Sequence, residues 1–345
     1  MTFCIDSIQT AMAASRDIVV DRGSGRVENA SAWEGMLIRL IRMSHLALRP
    51  LQEFGISRVA GLIGRCFAAE RHVRVRLNGD SWFRFPASDY YWPMLYSPWI
   101  PYEPDIGQCL QELRQVDYVF VDCGANYGYW TILATSAALG GKRAIAIEAS
   151  PGTCRVLEQN AALNGGRFQT LQCALSDCSG QRTVIYGCRH AGRTLVKSRA
   201  PDSRVEHVET ATIDDAIMGW MPEAFAGRVV LKLDIEGMER AAVSGAPKLM
   251  KSDVLVIFED SEPDRISAVV PLLLDDLGMR IFAHRDGRFL ECSSVERVAA
   301  LKARGRWGRL LGYNFFATRS AFWLDRLIGA TPLPPAASDG DRVAN

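Results

Sequence analysis

From Asp117 onward, short apolar runs alternate with stretches of helical periodicity, and this alternation restricts the fold of the 345-residue chain more than any other feature. The runs cover residues 118–123, 144–149, 168–175, 229–235, 254–259, 279–283 and 311–318. Five of them are spaced to leave room for crossover helices. Strands that read as nearly continuous apolar runs are buried on both faces, as in a parallel sheet with helices packed against it. We therefore expect an α/β, Rossmann-like core over residues 116–320.

An extension precedes that core over residues 31–115. Residues 32–54 read as an amphipathic helix stopping near Pro50, with Leu37, Ile38, Leu40, Ile41, Leu48 and Leu51 beside Arg39, Arg42 and Arg49. Packing on the core is the favoured role of this helix, and peripheral contact with a membrane stays open. Residues 72–86 read as a hairpin, with Asn78-Gly79 supplying the positive φ angles of a tight turn. Residues 82–102 carry nine aromatics: Trp82, Phe83, Phe85, Tyr90, Tyr91, Trp92, Tyr96, Trp99 and Tyr102. Such a segment suits either a lid packed on the mouth of the core or a stacking surface for sugars and flat ligands. Residues 1–30 and 328–345 are polar or rich in small residues and proline, and we expect them to be disordered.

Composition excludes several classes of function. Forty basic and 39 acidic residues leave a net charge of +1, which gives no electrostatic footprint for nucleic acid. No run of 18 apolar residues is present to span a membrane. The nine cysteines have no Cys-x-x-Cys spacing and the five histidines no paired pattern, so we expect reduced cysteines, no structural zinc and a cytoplasmic setting.

The strongest chemical signal is the strand that ends at Asp122 and runs through Gly124, Asn126 and Gly128 into a helix over 129–138. Glycines at such a turn let a ligand approach the backbone. A dinucleotide enzyme uses Gly-x-Gly-x-x-Gly there, and its helix amides hold pyrophosphate. Here the spacing is Gly-x-x-x-Gly with an acid in front, which repels pyrophosphate and suits a cation such as the ammonium of a methionine moiety. Glu148 follows at the tip of the second strand, placed to accept both hydroxyls of a ribose, with Ser150 opening the next helix. The third strand contains Ala174 and leads to Asp177, which could border an adenine. Lys232, Asp234 and Glu236 lie on one face of the fourth strand and its extension. A buried lysine needs a counter-ion, and Asp234 or Glu259 can provide it.

Taken in order, these residues resemble the FkbM family of S-adenosylmethionine (SAM)-dependent methyltransferases over roughly residues 92–319. The resemblance rests on Tyr102-Glu103-Pro104, Asp122-Cys-Gly-Ala-Asn-Tyr-Gly128, Glu148-Ala-Ser-Pro151, Asn160 and Asn164-Gly165. It continues through Thr212-Ile-Asp214, Lys232-Leu-Asp-Ile-Glu-Gly237, Glu239 and Glu259. It implies a class I methyltransferase fold, a seven-stranded, mostly parallel sheet whose last hairpin strand is antiparallel. It also implies SAM as cofactor and O-methylation of a hydroxyl on a glycan or secondary metabolite.

Methyl transfer needs alignment, and a poorly acidic hydroxyl also needs a base. We expect Lys232, Asp234 and Glu236 to form the catalytic group, with Glu236 the first choice of base and His190 and His284 as alternatives. SAM falls to Asp122, Gly124, Asn126, Gly128, Glu148, Ser150, Ala174 and Asp177, and the acceptor to Tyr91, Trp92, Tyr96 and Trp99. A divalent metal on Asp234 with Glu259 or Asp260 is the less favoured arrangement. The alternative function is a non-catalytic module that binds SAM or a glycan. A nicotinamide-dependent dehydrogenase lacks its glycine signature here.

Overall fold

The computed structural model describes residues 17–48, 55–187, 205–235, 237–260, 267–285, 287–304, 310–311 and 314–329. Strands β1 (Ile18–Asp21) and β2 (Val27–Glu28) pair antiparallel, β3 (His72–Arg76) runs parallel to β1, and β4 (Trp82–Pro86) returns along β3. Residues 17–30, read from sequence as disordered, are thus in part an N-terminal sheet. Ile18 and Val20 join its apolar face, and Asp17 binds Arg84 at 2.9 Å and Arg74 at 3.4 Å. Val73, Val75, Phe83 and Phe85 are buried as their alternation requires. The hairpin is present, but its turn differs from the expected one. Arg76 pairs with Trp82, leaving a five-residue connection in which Asn78 Oδ1 accepts from the Asp80 amide at 3.1 Å. Neither Asn78 nor Gly79 has positive φ. Asn78 therefore shapes the turn through its side chain.

Helix α1 (Ala32–Leu48) starts at Ser31, whose hydroxyl accepts from the Glu34 amide at 3.2 Å while Glu34 accepts from the Ser31 amide at 2.8 Å. This reciprocal cap fixes the helix start. Leu37, Ile38 and Ile41 then face the N-terminal sheet's core. Helix α2 (Ile56–Gly64) packs beside α1, and α3 (Pro104–Glu112) leads into the main sheet.

The core strands and helices alternate as β5 (Val119–Cys123), α4 (Tyr129–Ala134), β6 (Arg143–Glu148), α5 (Pro151–Leu163) and β7 (Gln169–Gln172). After β8 (Ala174–Leu175), β9 (Arg182–Tyr186) and β10 (Val205–Ala211) come α6 (Ile213–Trp220), β11 (Arg228–Leu233), α7 (Glu239–Ser244) and β12 (Asp253–Glu259). The hairpin β13 (Arg280–Arg285) and β14 (Arg288–Cys292) precedes α8 (Val295–Leu301), a short pair β15 (Ala303–Arg304) and β16 (Leu310–Leu311), β17 (Asn314–Thr318) and α9 (Ala321–Gly329). The main sheet has the order β14-β13-β17-β12-β11-β5-β6-β7. Strands β7, β6, β5, β11 and β12 are mutually parallel, and β17 is antiparallel to both of its neighbours. This is the expected class I methyltransferase sheet with β14 added as an eighth strand. The apolar run 168–175 is not one strand. It leaves the main sheet after Gln172, and β8 joins a separate sheet of order β8-β10-β9.

Successive residues of each core strand face opposite sides. Phe120, Ala144, Ala146, Val230, Ile257 and Phe316 belong to one apolar cluster, and Val121, Ile145, Leu231 and Val256 to the other. The first cluster runs on without a break into Phe83, Phe85, Trp92 and Tyr96 of the extension. Two asparagines one helical turn apart on α5 complete the junction. Asn160 accepts from the Arg84 amide at 2.8 Å and donates to the Arg84 carbonyl at 3.0 Å. Asn164 does the same for Trp82, at 2.9 and 2.7 Å. Spacing of four on the helix matches spacing of two on the strand, so both side chains pair with the free edge of β4 as a neighbouring strand would.

Candidate active site

The parallel strands deliver their last residues to one edge of the sheet, where an open α/β fold has its ligand crevice. Asp122, the penultimate residue of β5, lies beside Lys232 of β11, in direct register with it. Gly124 makes this approach feasible. It has φ +78°, and a Cβ on it would stand 1.8 Å from the carbonyl oxygen of Asp234. Gly128 has φ +90° and abuts Leu157 of α5, 2.6 Å from where its Cβ would be. Both glycines are therefore demanded first by the packing of the chain on itself.

Lys232 is buried and its ammonium lies 3.0 Å from Asp234 and 3.8 Å from Asp122. Burial disfavours its charge, but Asp234, Asp122 and Glu103 outweigh that and raise its pKa. Burial likewise works against ionised Asp234. The Lys232 charge, a side-chain hydrogen bond with Glu259 and the bond from Lys232 together still hold its carboxyl below the ordinary value. Asp122 accepts from the Thr131 hydroxyl at 2.6 Å through Oδ2. Its buried Oδ1 has no hydrogen-bond partner among the described residues. Burial raises its pKa, with Lys232 and Thr131 opposing.

Glu148 ends β6 and is held by the chain on both oxygens. It accepts from the Asn126 amide at 3.0 Å and from the Ser150 amide at 2.9 Å. Asn126 is at φ 55°, a conformation that turns its amide toward this carboxylate. Ser150 caps α5 by accepting from the Thr153 amide at 3.3 Å. Ala174 lies in β8 and packs with Ala149, next to Glu148. Asp177 is exposed in the loop whose backbone closes on Gly245.

The extension adds a second wall. Tyr91 donates through its hydroxyl to the Tyr102 hydroxyl at 3.1 Å, and Trp92 stacks on Tyr129 at 5.6 Å while donating to Asn126 at 3.4 Å. Of the four aromatics expected to meet an acceptor, Tyr91 is half-buried at this wall and Trp92 is almost wholly buried behind it. Tyr96 is fully buried and stacked on Phe85 at 5.9 Å, so it belongs to the core of the extension and offers no face to a ligand. Trp99 is exposed.

Glu103 is a residue that the sequence names only within the Tyr102-Glu103-Pro104 motif, without a role of its own. It adopts φ 41° and ψ 66°, and its Oε2 accepts from the Trp130 indole at 2.5 Å. Burial pushes its carboxyl up to about 7, with Lys232 pulling down and Asp234 pushing up. Tyr102 is half-buried beside the same group, and both Glu103 and Asp234 act on its hydroxyl. The usable signal was local: a carboxylate before Pro104 is kept out of right-handed helix and so stands apart from α3.

Other candidates separate from this cluster. His284 lies on β13, three strands away from β11, where it packs on Phe289 at 4.9 Å. Asp260 forms a buried pair with Lys302 at 2.7 Å, which occupies it as an ion partner. Thr212 caps α6, and Asp214 accepts from the Lys248 and Leu249 amides at 2.7 and 3.0 Å, so both are structural. Glu236 and His190 lie outside the described residues. Among the described residues no group of three or more histidine, cysteine, aspartate or glutamate side chains is arranged to hold a metal ion.

The sequence-family model of the methyltransferase FkbM domain matches residues 122–281. Over those residues the chain is similar to the FkbM methyltransferase domain. Among solved structures the chain is similar to methyltransferase FkbM from Methylobacillus flagellatus KT, at 16% identity and TM-score 0.36 over 59% of this chain and 44% of that one. It is also similar to a precorrin-6y C5,15-methyltransferase from Geobacter metallireducens GS-15, at 15% identity and TM-score 0.34 over 62% and 86% of the two chains. No curated protein matches the chain. No helix of the described residues is long and apolar enough to cross a membrane.

Proposed function

We propose that this protein methylates a hydroxyl group, on a glycan or secondary metabolite, with Glu103 receiving the hydroxyl proton. The observation that carries the reading is the meeting of Glu103 from the extension with the Lys232–Asp234 pair of the core, beside the hydroxyls of Tyr91 and Tyr102. A nitrogen acceptor can arrive with a free lone pair, whereas a sugar hydroxyl gains most from a base that ionises near neutral pH. Glu103 has that property because burial raises it, and Trp130 fixes the carboxylate by one oxygen.

The donor side fits SAM. Among the described residues Asp122 Oδ1 is a buried acceptor without a hydrogen-bond donor, and Glu148 is a carboxylate held at a strand tip by two amides, where ribose hydroxyls would reach it. Ala174 supplies an apolar border beyond Glu148 for the adenine, next to Ala149. SAM brings a methyl group that is already electrophilic, so the protein's task is alignment and proton removal. Lys232 holds Asp122 and Asp234 in place and keeps the pocket from carrying an unbalanced negative charge. Tyr91 and Tyr102 orient the acceptor.

The experiment is turnover of methyl-labelled SAM against a panel of glycans, lipid-linked sugars and polyketide alcohols, with the product bond identified by mass spectrometry. An ether product supports the reading. Label found only on nitrogen or carbon removes it.

A further inference from the structure

Helix α1 is apolar on both of its faces. Leu37, Ile38 and Ile41 are buried, yet Trp33, Met36, Leu40, Met43 and Leu46 are 40–63% exposed. Trp33, Met36, Leu40, Met43 and Ala47 follow spacings of three and four, so they line one stripe along the helix. Leu62 of α2 is 64% exposed, and Trp33 donates to the carbonyl of Cys66, just past the end of α2, at 3.5 Å. Six of the twelve exposed large apolar side chains among the described residues thus fall on two packed helices. Single exposed apolar residues need no explanation, whereas a contiguous patch of this kind marks an interaction surface.

The charge around the patch selects the partner. Arg39, Arg58 and Arg65 are exposed on these helices or directly after α2. The only acid of α1 is Glu34, which is engaged by Arg71 at 2.6 Å, and α2 contains none. Glu70 is the one exposed acid in the connection from α2 to β3. A second copy of the chain docked on the same face would bring two sets of arginines together around one apolar centre, which like-charge repulsion opposes.

We propose that the α1–α2 face docks on an anionic lipid bilayer, its apolar stripe entering the interface while the arginines meet lipid phosphates. Methionine, leucine and tryptophan side chains flanked by arginine suit the boundary between headgroups and acyl chains, and binding there scales with apolar area plus attraction to anionic lipid. Helix α1 is also tied to the acceptor wall. Arg42 donates to the Tyr96 carbonyl at 2.7 Å and His45 bonds the Ser97 hydroxyl at 2.6 Å, within six residues of Tyr91. The docked face therefore lies directly behind the segment that lines the site. This inference does not depend on which acceptor is methylated.

Co-sedimentation of the full chain with vesicles is the test, using phosphatidylcholine alone and phosphatidylcholine mixed with phosphatidylglycerol. Binding is expected to the mixed vesicles, weaker to phosphatidylcholine, and to fall as salt is raised. Leu40→Ser with Met43→Ser, and separately Arg39→Glu with Arg58→Glu, should each lower partitioning about tenfold. SAM binding and melting temperature should not change, because all four side chains are exposed. If the serine pair proves less stable, the arginine pair carries the test alone. No binding to either vesicle, binding unchanged in stable variants, or a self-associated species that the same substitutions abolish would each overturn the proposal.

Discussion

In the α/β core, the candidate site residues stand at strand tips. Asp122 and Glu148 are the last polar groups of β5 and β6, Asp234 follows β11, and the parallel ladder fixes all three. In the N-terminal extension, Tyr91, Tyr102 and Glu103 stand on irregular chain between β4 and α3. Their positions come from side chains: the aromatic cluster, the Asn160 and Asn164 pairing with β4, and the Trp130 bond to Glu103. One wall of the site is therefore built by repeating backbone bonds and the other by particular contacts. Under the proposed function the second wall meets the acceptor and the first holds the donor.

Four substitutions sharpen or break that comparison. Gly124→Ala should be the most damaging, because its Cβ would fall 1.8 Å from the Asp234 carbonyl at a positive φ. We expect about 4–5 kcal/mol of lost stability, or no folded protein, read by urea denaturation. Lys232→Met leaves Asp122 and Asp234 without their common counter-ion and should cost about 3–5 kcal/mol. A variant as stable as the parent would mean that the pair is not buried in solution. Asn160→Ala unpairs both polar backbone groups of Arg84 and should cost about 1–3 kcal/mol. Its loss should loosen the extension first, seen as faster hydrogen exchange in β4 than in β5. Uniform exchange would show that the two regions unfold as one unit. Gly79→Ala should be neutral or stabilising by up to about 1 kcal/mol, since its φ is ordinary and no atom lies within 4 Å of the added carbon.

The core was legible because a parallel sheet writes itself as spaced apolar runs, and because acids at strand ends contradict burial strongly enough to be noticed. The pairing of Lys232 with Asp234 followed from the cost of a lone buried charge, and the structure adds Asp122 as a second partner. Composition was less decisive in the extension. Nine aromatics between residues 82 and 102 suited a packed lid as well as a stacking wall, and Tyr96 and Trp92 are buried by partners such as Phe85 and Tyr129, the latter more than thirty residues away. The break of the third strand at Cys173 was invisible, because an apolar run does not say which sheet it joins. Glu103 owes its character to burial and to Lys232 and Trp130, none of which its sequence neighbours reveal.

Under the proposed function the extension supplies the base and the core holds the donor. The pH dependence of kcat/KM for parent and Glu103→Gln, with an acceptor identified from the panel, tests this division. Glu103 keeps its proton up to about 7 and accepts one only above it. The parent rate should therefore rise through an apparent pKa near that value. Glu103→Gln should be slower by about 10²–10⁴-fold, lose that rise and still bind SAM with parental affinity. An unchanged pH profile in a folded Glu103→Gln variant would contradict the account.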